Sequence, residues 1–244
     1  MVNTDVKINC DVGEGVDNEA SLLPLIDYCS IACGGHAGDI ETMQRVLTIA
    51  EESEVKVGAH PSYPDKENFG RKTMTISSEA LIESIRNQLE TFDRALGQSD
   101  KPLTHIKLHG ALYNDAVVSR RIADTVWKAL ELNYKNIPLM LPFRSELGKI
   151  ARENRHPCIY EAFGDRNYNA DLTLVNRSSP NALIHDEEEV YQHILRMATE
   201  RRVKTVEGEL VPLQAETWCI HSDTENAVTI VGYIRNKLKN TRLG

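Results

Sequence analysis

The sequence predicts a parallel α/β barrel, with seven or so strands inside and helices outside. Three observations carry the prediction. Short apolar, β-branched or cysteine-bearing runs alternate with stretches of helical period along the whole chain. Turns rich in Gly, His and Asp follow the runs. The 244 residues also suit a barrel, a fold that spends about 250 residues on one domain.

Taken in order, the strand-like runs are 6–10, 29–33, 55–59, 105–108, 137–141, 158–160 and 218–220, with 182–184 a weaker eighth. The helices between them declare themselves by spacing. Ile40, Met43, Leu47 and Ala50 form one stripe, and Leu81, Ile85, Leu89, Phe92 and Leu96 form a longer one. Similar stripes run through Ile122, Val126 and Ala129, through Val190, Ile194 and Ala198, and through Val228, Val231, Ile234 and Leu238. Asp39, Ser78, Ser119 and Asp186 are candidate caps, and Ser222 with Glu225 spells a capping box. Strand then helix, repeated, makes the sheet parallel. No linker-like tract interrupts the pattern, so one domain is expected over 1–244.

Composition narrows the functional classes. At 41% hydrophobic and 26% charged residues the chain can fill a sizeable core, which excludes disorder and fibre. A formal charge of -8 repels nucleic-acid phosphates and anionic lipid. The longest apolar run, 137–143, holds two prolines and falls far short of the roughly 20 residues that cross a bilayer. Residues 1–7 lack the apolar stretch of a signal peptide, so a cytoplasmic protein is expected. The five cysteines include no CxxC pair and read as reduced, buried filler.

The chemistry collects after the strands, where an α/β barrel carries its function. Asp11 and Glu14, His36 and Asp39, His60, Lys107 and His109, Glu161 with Asp165 and Arg166, and His221 with Asp223 all follow predicted strands. Only a shared barrel mouth would gather residues so scattered. Residues two apart on a strand point the same way, so His105, Lys107 and His109 share a face, as do Asn9 and Asp11, and Cys219 and His221. An inward ammonium needs carboxylates, and Asp11 and Glu161 are the candidates for Lys107. The competing reading is a purely structural ion pair.

Asp11, His36 and His60 would also be the set to hold a divalent metal, one carboxylate and two imidazoles from three strand ends. The alternative is hydrogen-bonded histidines facing a substrate. His105, His156, His185 and His193 read as packing or solvated residues. The loop 34–39, Gly-Gly-His-Ala-Gly-Asp, offers backbone NH groups for an anion, although Asp39 suits an ordinary helix cap better. No P-loop or dinucleotide fingerprint occurs. Two long loops, 61–77 and 164–186, read as binding segments and supply Arg71 and Arg166, whose guanidinium groups suit a carboxylate or phosphate.

Together these motifs resemble one family. Asn9-Cys10-Asp11-Val12-Gly13-Glu14, the stretch 31–39, Gly58-Ala59-His60-Pro61, Phe69-Gly70-Arg71, the stretch 107–113 and Asp165-Arg166-Asn167-Tyr168 are similar to those of the LamB/YcsF lactam-utilisation family. Leu108, Lys72 and Ser222 depart from the usual Pro, Arg and Gly. The resemblance implies a distorted β/α barrel of the kind shared with polysaccharide deacetylases. It also implies ATP-dependent opening of 5-oxoproline to L-glutamate with two allophanate-hydrolase-like partner subunits. On that reading Asp11 or Glu14 is the base, Lys107 stabilises charge, and His36, His60 and His109 orient substrate or move protons. Arg71, Glu161, Asp165, Arg166, His221 and Asp223 then bind substrate. ATP is handled at least partly by the partners; a divalent metal and homo-oligomerisation stay open. Two rivals remain: a metal-dependent deacetylase of a small amide or sugar amide, and a non-catalytic regulatory subunit.

Overall fold

Seven parallel strands form the centre of the molecule: β1 (Ile8–Val12), β2 (Tyr28–Ala32), β3 (Lys56–His60), β4 (Leu103–Lys107), β5 (Leu139–Pro142), β6 (Cys158–Phe163) and β9 (Thr217–Cys219). They hydrogen-bond side by side in that order and close on themselves. The computed structural model describes residues 6–242. β9 closes the ring, pairing with β6 through Glu161 opposite Thr217 and with β1 through Asn9 opposite Cys219.

The helices surround the ring because each has one apolar stripe to bury. They are α1 (Glu19–Leu22), α2 (Ile40–Glu52), α3 (Ser78–Leu96), α4 (Gly110–Val118), α5 (Arg120–Leu130), α6 (Glu146–Glu153), α7 (Glu187–Glu200) and α8 (Ala227–Arg242). The α3 stripe is typical: Leu81, Ile85, Leu89 and Phe92 are all but inaccessible, each stabilising the fold by about 1.5–3 kcal/mol on burial. Asp39, Ser119 and Asp186 cap their helices as the sequence predicts. The α3 cap, however, is Ser77, whose hydroxyl accepts from the Ala80 amide, rather than Ser78.

The seven principal runs all become barrel strands, and three expectations are corrected. The run 182–184 is not an eighth strand: Leu183 makes only an isolated antiparallel bridge to Arg166 within the long loop. The Ser222/Glu225 box does not form, because α8 starts only at Ala227 and the turn before it is held by Thr224 donating to Asp165. The stretch between α7 and β9, which has no clear period, folds as a hairpin of β7 (Arg202–Lys204) and β8 (Leu210–Pro212) outside the barrel. All five cysteines are unpaired, and four are buried. No described helix is long and apolar enough to cross a membrane.

Candidate active site

Strand alternation builds the floor of the site. On β4, Lys107 points inward and is 1% exposed, beyond reach of solvent and costly there unless it finds anionic partners. It finds both expected ones: Nζ lies 2.9 Å from Asp11 Oδ1 and 2.7 Å from Glu161 Oε1. It also donates to Asn9 Oδ1 at 3.2 Å and to the Cys219 sulfur at 3.3 Å. Burial alone would lower Lys107, but Asp11, Cys219 and Glu161 outweigh it and hold the ammonium well above its ordinary value. The two carboxyls diverge. Burial pushes both upward; at Asp11 the neighbouring His60 and Lys107 outweigh it, so that carboxyl sits low, whereas Glu161 stays raised. Tyr113, in the first turn of α4, donates to Glu161 Oε2 at 2.9 Å. Below this layer His105 lies among Ser30 and Thr104, and burial pushes its imidazole down to about 3.

The rim above is made by loops. Glu14 follows β1, His36 follows β2, His60 ends β3 and His109 follows β4. One ring nitrogen from each histidine and one carboxylate oxygen converge within 4.8 Å of one another. His36 Nε2 is 2.9 Å from Glu14 Oε1, and the His36 ring stacks on His109 at 3.5 Å. His60 Nδ1 donates to the Lys107 carbonyl at 2.9 Å, and burial pushes this imidazole down to about 3. His109 Nε2 donates to the Phe69 carbonyl at 2.9 Å. That carbonyl is aimed by Gly70, whose φ of +61° a larger residue would resist; an added Cβ would sit 2.9 Å from His36 Cβ.

A third group closes the opposite side. Asp165 is fully buried and accepts from the His221 amide and from His221 Nδ1, both at 3.0 Å, and from the Thr224 hydroxyl at 2.6 Å. Burial would raise Asp165, but His221 and Thr224 outweigh it and hold the carboxyl far below its usual range. With Nδ1 committed to Asp165, His221 offers Nε2 to the cavity as an acceptor, and Phe163 stacks on the ring. The cavity has a volume of about 430 Å³ and is lined by Asp11, Glu14, His60, Lys107, His109 and His221. Its outer wall is the 164–186 loop, which contributes Arg166, Tyr168 and Arg177.

Nearly all the residues singled out in the sequence therefore meet in one place. Two behave differently from expectation. Arg166 spends its guanidinium on the Val175 and Ala182 carbonyls, so it braces the loop it belongs to. Asp223 is gripped by Arg71 and by both ends of the Arg177 guanidinium at 3.1 and 3.2 Å. The 34–39 loop offers no open helix start for an anion, since Asp39 already accepts from Thr42 there. Of the expected metal set, His36 and His60 converge with Glu14 and His109, while Asp11 stands 3.4 Å from His60 Nε2 and groups with Cys219 and His221. Sequence reasoning missed Arg177, which stands mid-loop without any period to mark it, and gave Tyr113 no role. Tyr113 follows the strand end closely enough for its position to have been a signal.

A closed parallel barrel whose ionisable side chains gather around a cavity at the carboxyl ends of its strands defines a β/α-barrel protein of the kind that supports catalysis. Residues 6–243 match the model of the LamB/YcsF family, and the chain belongs to that family. Two proteins from Haemophilus influenzae, strains PittEE and 86-028NP, are named as a component subunit of 5-oxoprolinase; each is 37% identical to this chain over 238 residues, covering 98% of this chain and 97% of theirs. A solved structure described as a lactam utilization protein from Thermus thermophilus superposes with a TM-score of 0.89 at 31% identity, covering 97% of both chains.

Proposed function

We propose that this chain binds 5-oxoproline at the barrel mouth and takes part in its ATP-dependent opening to L-glutamate, acting with partner subunits. The observation that carries the reading is its 37% identity, over 98% of its length, to proteins named as subunits of 5-oxoprolinase. The five unpaired cysteines suit a reducing, cytoplasmic setting.

The chemistry the reaction demands matches what the cavity offers. A five-membered lactam is a stable amide, so its carbonyl carbon must be made electrophilic. Phosphorylation of the amide oxygen by ATP does this, and in the absence of a phosphate-loop motif the nucleotide falls at least partly to the partners. Water delivered by a base must then add to that carbon and break its bond to the ring nitrogen, which receives a proton, and a second water must release the phosphoryl group as inorganic phosphate. Asp11 and Glu14, the bases the sequence suggests, are engaged by Lys107 and by His36. His221 Nε2, oriented through Asp165, is an acceptor on the cavity side away from Glu14, His60 and His109, and we assign it the water. Having taken the proton of the water, the same His221 nitrogen can return it to the ring nitrogen. Lys107 fixes Asp11 and Glu161 and supplies positive potential at the floor. Arg71 and Arg177 at the rim suit the substrate carboxylate, which would compete with Asp223 for them.

The test is 5-oxoproline-dependent ATP hydrolysis with the partner subunits present, comparing the wild type with Asp11→Asn. A fall of about 100-fold or more is expected, since the variant disturbs the charge balance of the floor. Full-rate turnover by this chain alone would overturn the shared division of labour. Undiminished activity in Lys107→Ala would overturn the catalytic reading of the floor.

A further inference from the structure

We infer that Glu14, His60 and His109 form a binding site for one divalent transition-metal ion, with its open coordination position facing the cavity. Two backbone carbonyls place the ring protons. A backbone carbonyl can only accept, so the 2.9 Å contact of His60 Nδ1 with the Lys107 carbonyl puts the ring proton on Nδ1. The 2.9 Å contact of His109 Nε2 with the Phe69 carbonyl likewise puts its proton on Nε2. In the neutral rings the remaining nitrogens, His60 Nε2 and His109 Nδ1, both carry lone pairs. These two atoms lie 3.1 Å apart, at hydrogen-bond distance with no hydrogen between them.

Glu14 adds a third acceptor. Its Oε1 is 3.2 Å from His109 Nδ1 and 3.7 Å from His60 Nε2. Three electron-rich atoms thus converge in a place where the two histidines are almost fully buried, and mutual repulsion would spread them unless a cation sat among them. The distances state what size of cation fits. Donors held about 2.0–2.1 Å from a tetrahedral ion stand about 3.3 Å from one another. The observed 3.1, 3.2 and 3.7 Å bracket that value.

The surroundings are those of a ligand set. Each imidazole is oriented by donating its other NH to a carbonyl, the arrangement that fixes metal-binding histidines. His36 donates to Glu14 from Nε2 and stacks flat on His109, so both are held in place from behind. Two imidazoles and a carboxylate favour a borderline first-row ion such as Zn2+ over Mg2+ or Ca2+, which prefer oxygen. All three ligands line the cavity, which leaves the fourth position for water or a substrate oxygen. The inference rests on the lactam reading only for the use of the ion, as a Lewis acid on the amide carbonyl, and not for its binding.

The experiment therefore measures binding without substrate or partners. The purified full-length chain is stripped with chelator and titrated with Zn2+ by calorimetry and with Co2+ by visible absorption. One Zn2+ per chain and the intense d–d bands of a tetrahedral Co2+ site are expected. Glu14→Gln and His109→Asn should weaken Zn2+ by about 100-fold or more, while His185→Ala, outside the cluster, should leave it unchanged. If the variants fail to fold, the wild-type stoichiometry and the Co2+ spectrum still decide. No stoichiometric uptake by the stripped wild type, or undiminished uptake by both cluster variants, overturns the site. A chain that binds one Zn2+ but whose reconstituted complex ignores 5-oxoproline would retain the site and overturn the lactam reading alone.

Discussion

On the floor of the barrel one ammonium, Lys107, meets two carboxylates, an amide and a thiol, whereas on the rim a carboxylate and two imidazole lone pairs meet with no described cationic side chain among them. The floor sets a cation against its carboxylates, with side chains from β1, β4, β6 and β9. The rim leaves a concentration of acceptors, and its side chains come mainly from the loops after β1 to β4. Two layers in contact therefore differ in what they lack. A buried ion-pair network is costly to break, and an open acceptor cluster is suited to bind something.

The sharpest test of this contrast removes the floor's cation. Lys107→Met leaves Asp11 and Glu161 buried and unpaired and should destabilise the protein by about 3–5 kcal/mol in urea denaturation. A loss below about 1 kcal/mol would show that the floor does not depend on the pairing.

Acid probes the neutral histidines packed away from the rim. Burial holds His105 at about 3 and His193 at about 4, below the 6.5 of an ordinary imidazole. As pH falls through 6.5 the unfolded chain takes up these protons first, so stability declines and levels off only below the folded values. By pH 5 each should cost about 2 kcal/mol, and His105→Gln should flatten the pH dependence of Tm by its share.

Gly70→Ala tests the link between backbone and rim. The positive φ and the approach to His36 should cost about 1–2 kcal/mol and turn the Phe69 carbonyl away from His109, lowering Zn2+ affinity at least tenfold. The smallest effect separates the two layers most cleanly. In chelator-stripped protein His109→Asn should cost about 1 kcal/mol or less, because it removes a repelling acceptor along with one hydrogen bond. A loss as large as that of Lys107→Met would mean that the rim, like the floor, is part of the folding core.

Much of this was legible before the structure. The seven barrel strands, the five striped helices and the pairing of Lys107 with Asp11 and Glu161 all follow from local periods, because side chains two apart on a strand share a face and those three or four apart on a helix share another. The β7–β8 hairpin and the start of α8 did not follow, since short edge strands and irregular turns carry no such period.

The sequence by itself thus determined which side chains enter the barrel, as the alternation that sends them inward is a property of each strand alone. Only the tertiary structure decided how they meet. Which ring nitrogen of His60 and His109 donates is set by carbonyls of Lys107 and Phe69 that folding delivers from elsewhere in the chain, and the grip of Arg177 on Asp223 joins a loop to the turn before α8. Loops have no repeat to read, so their contacts exist only once the barrel has closed.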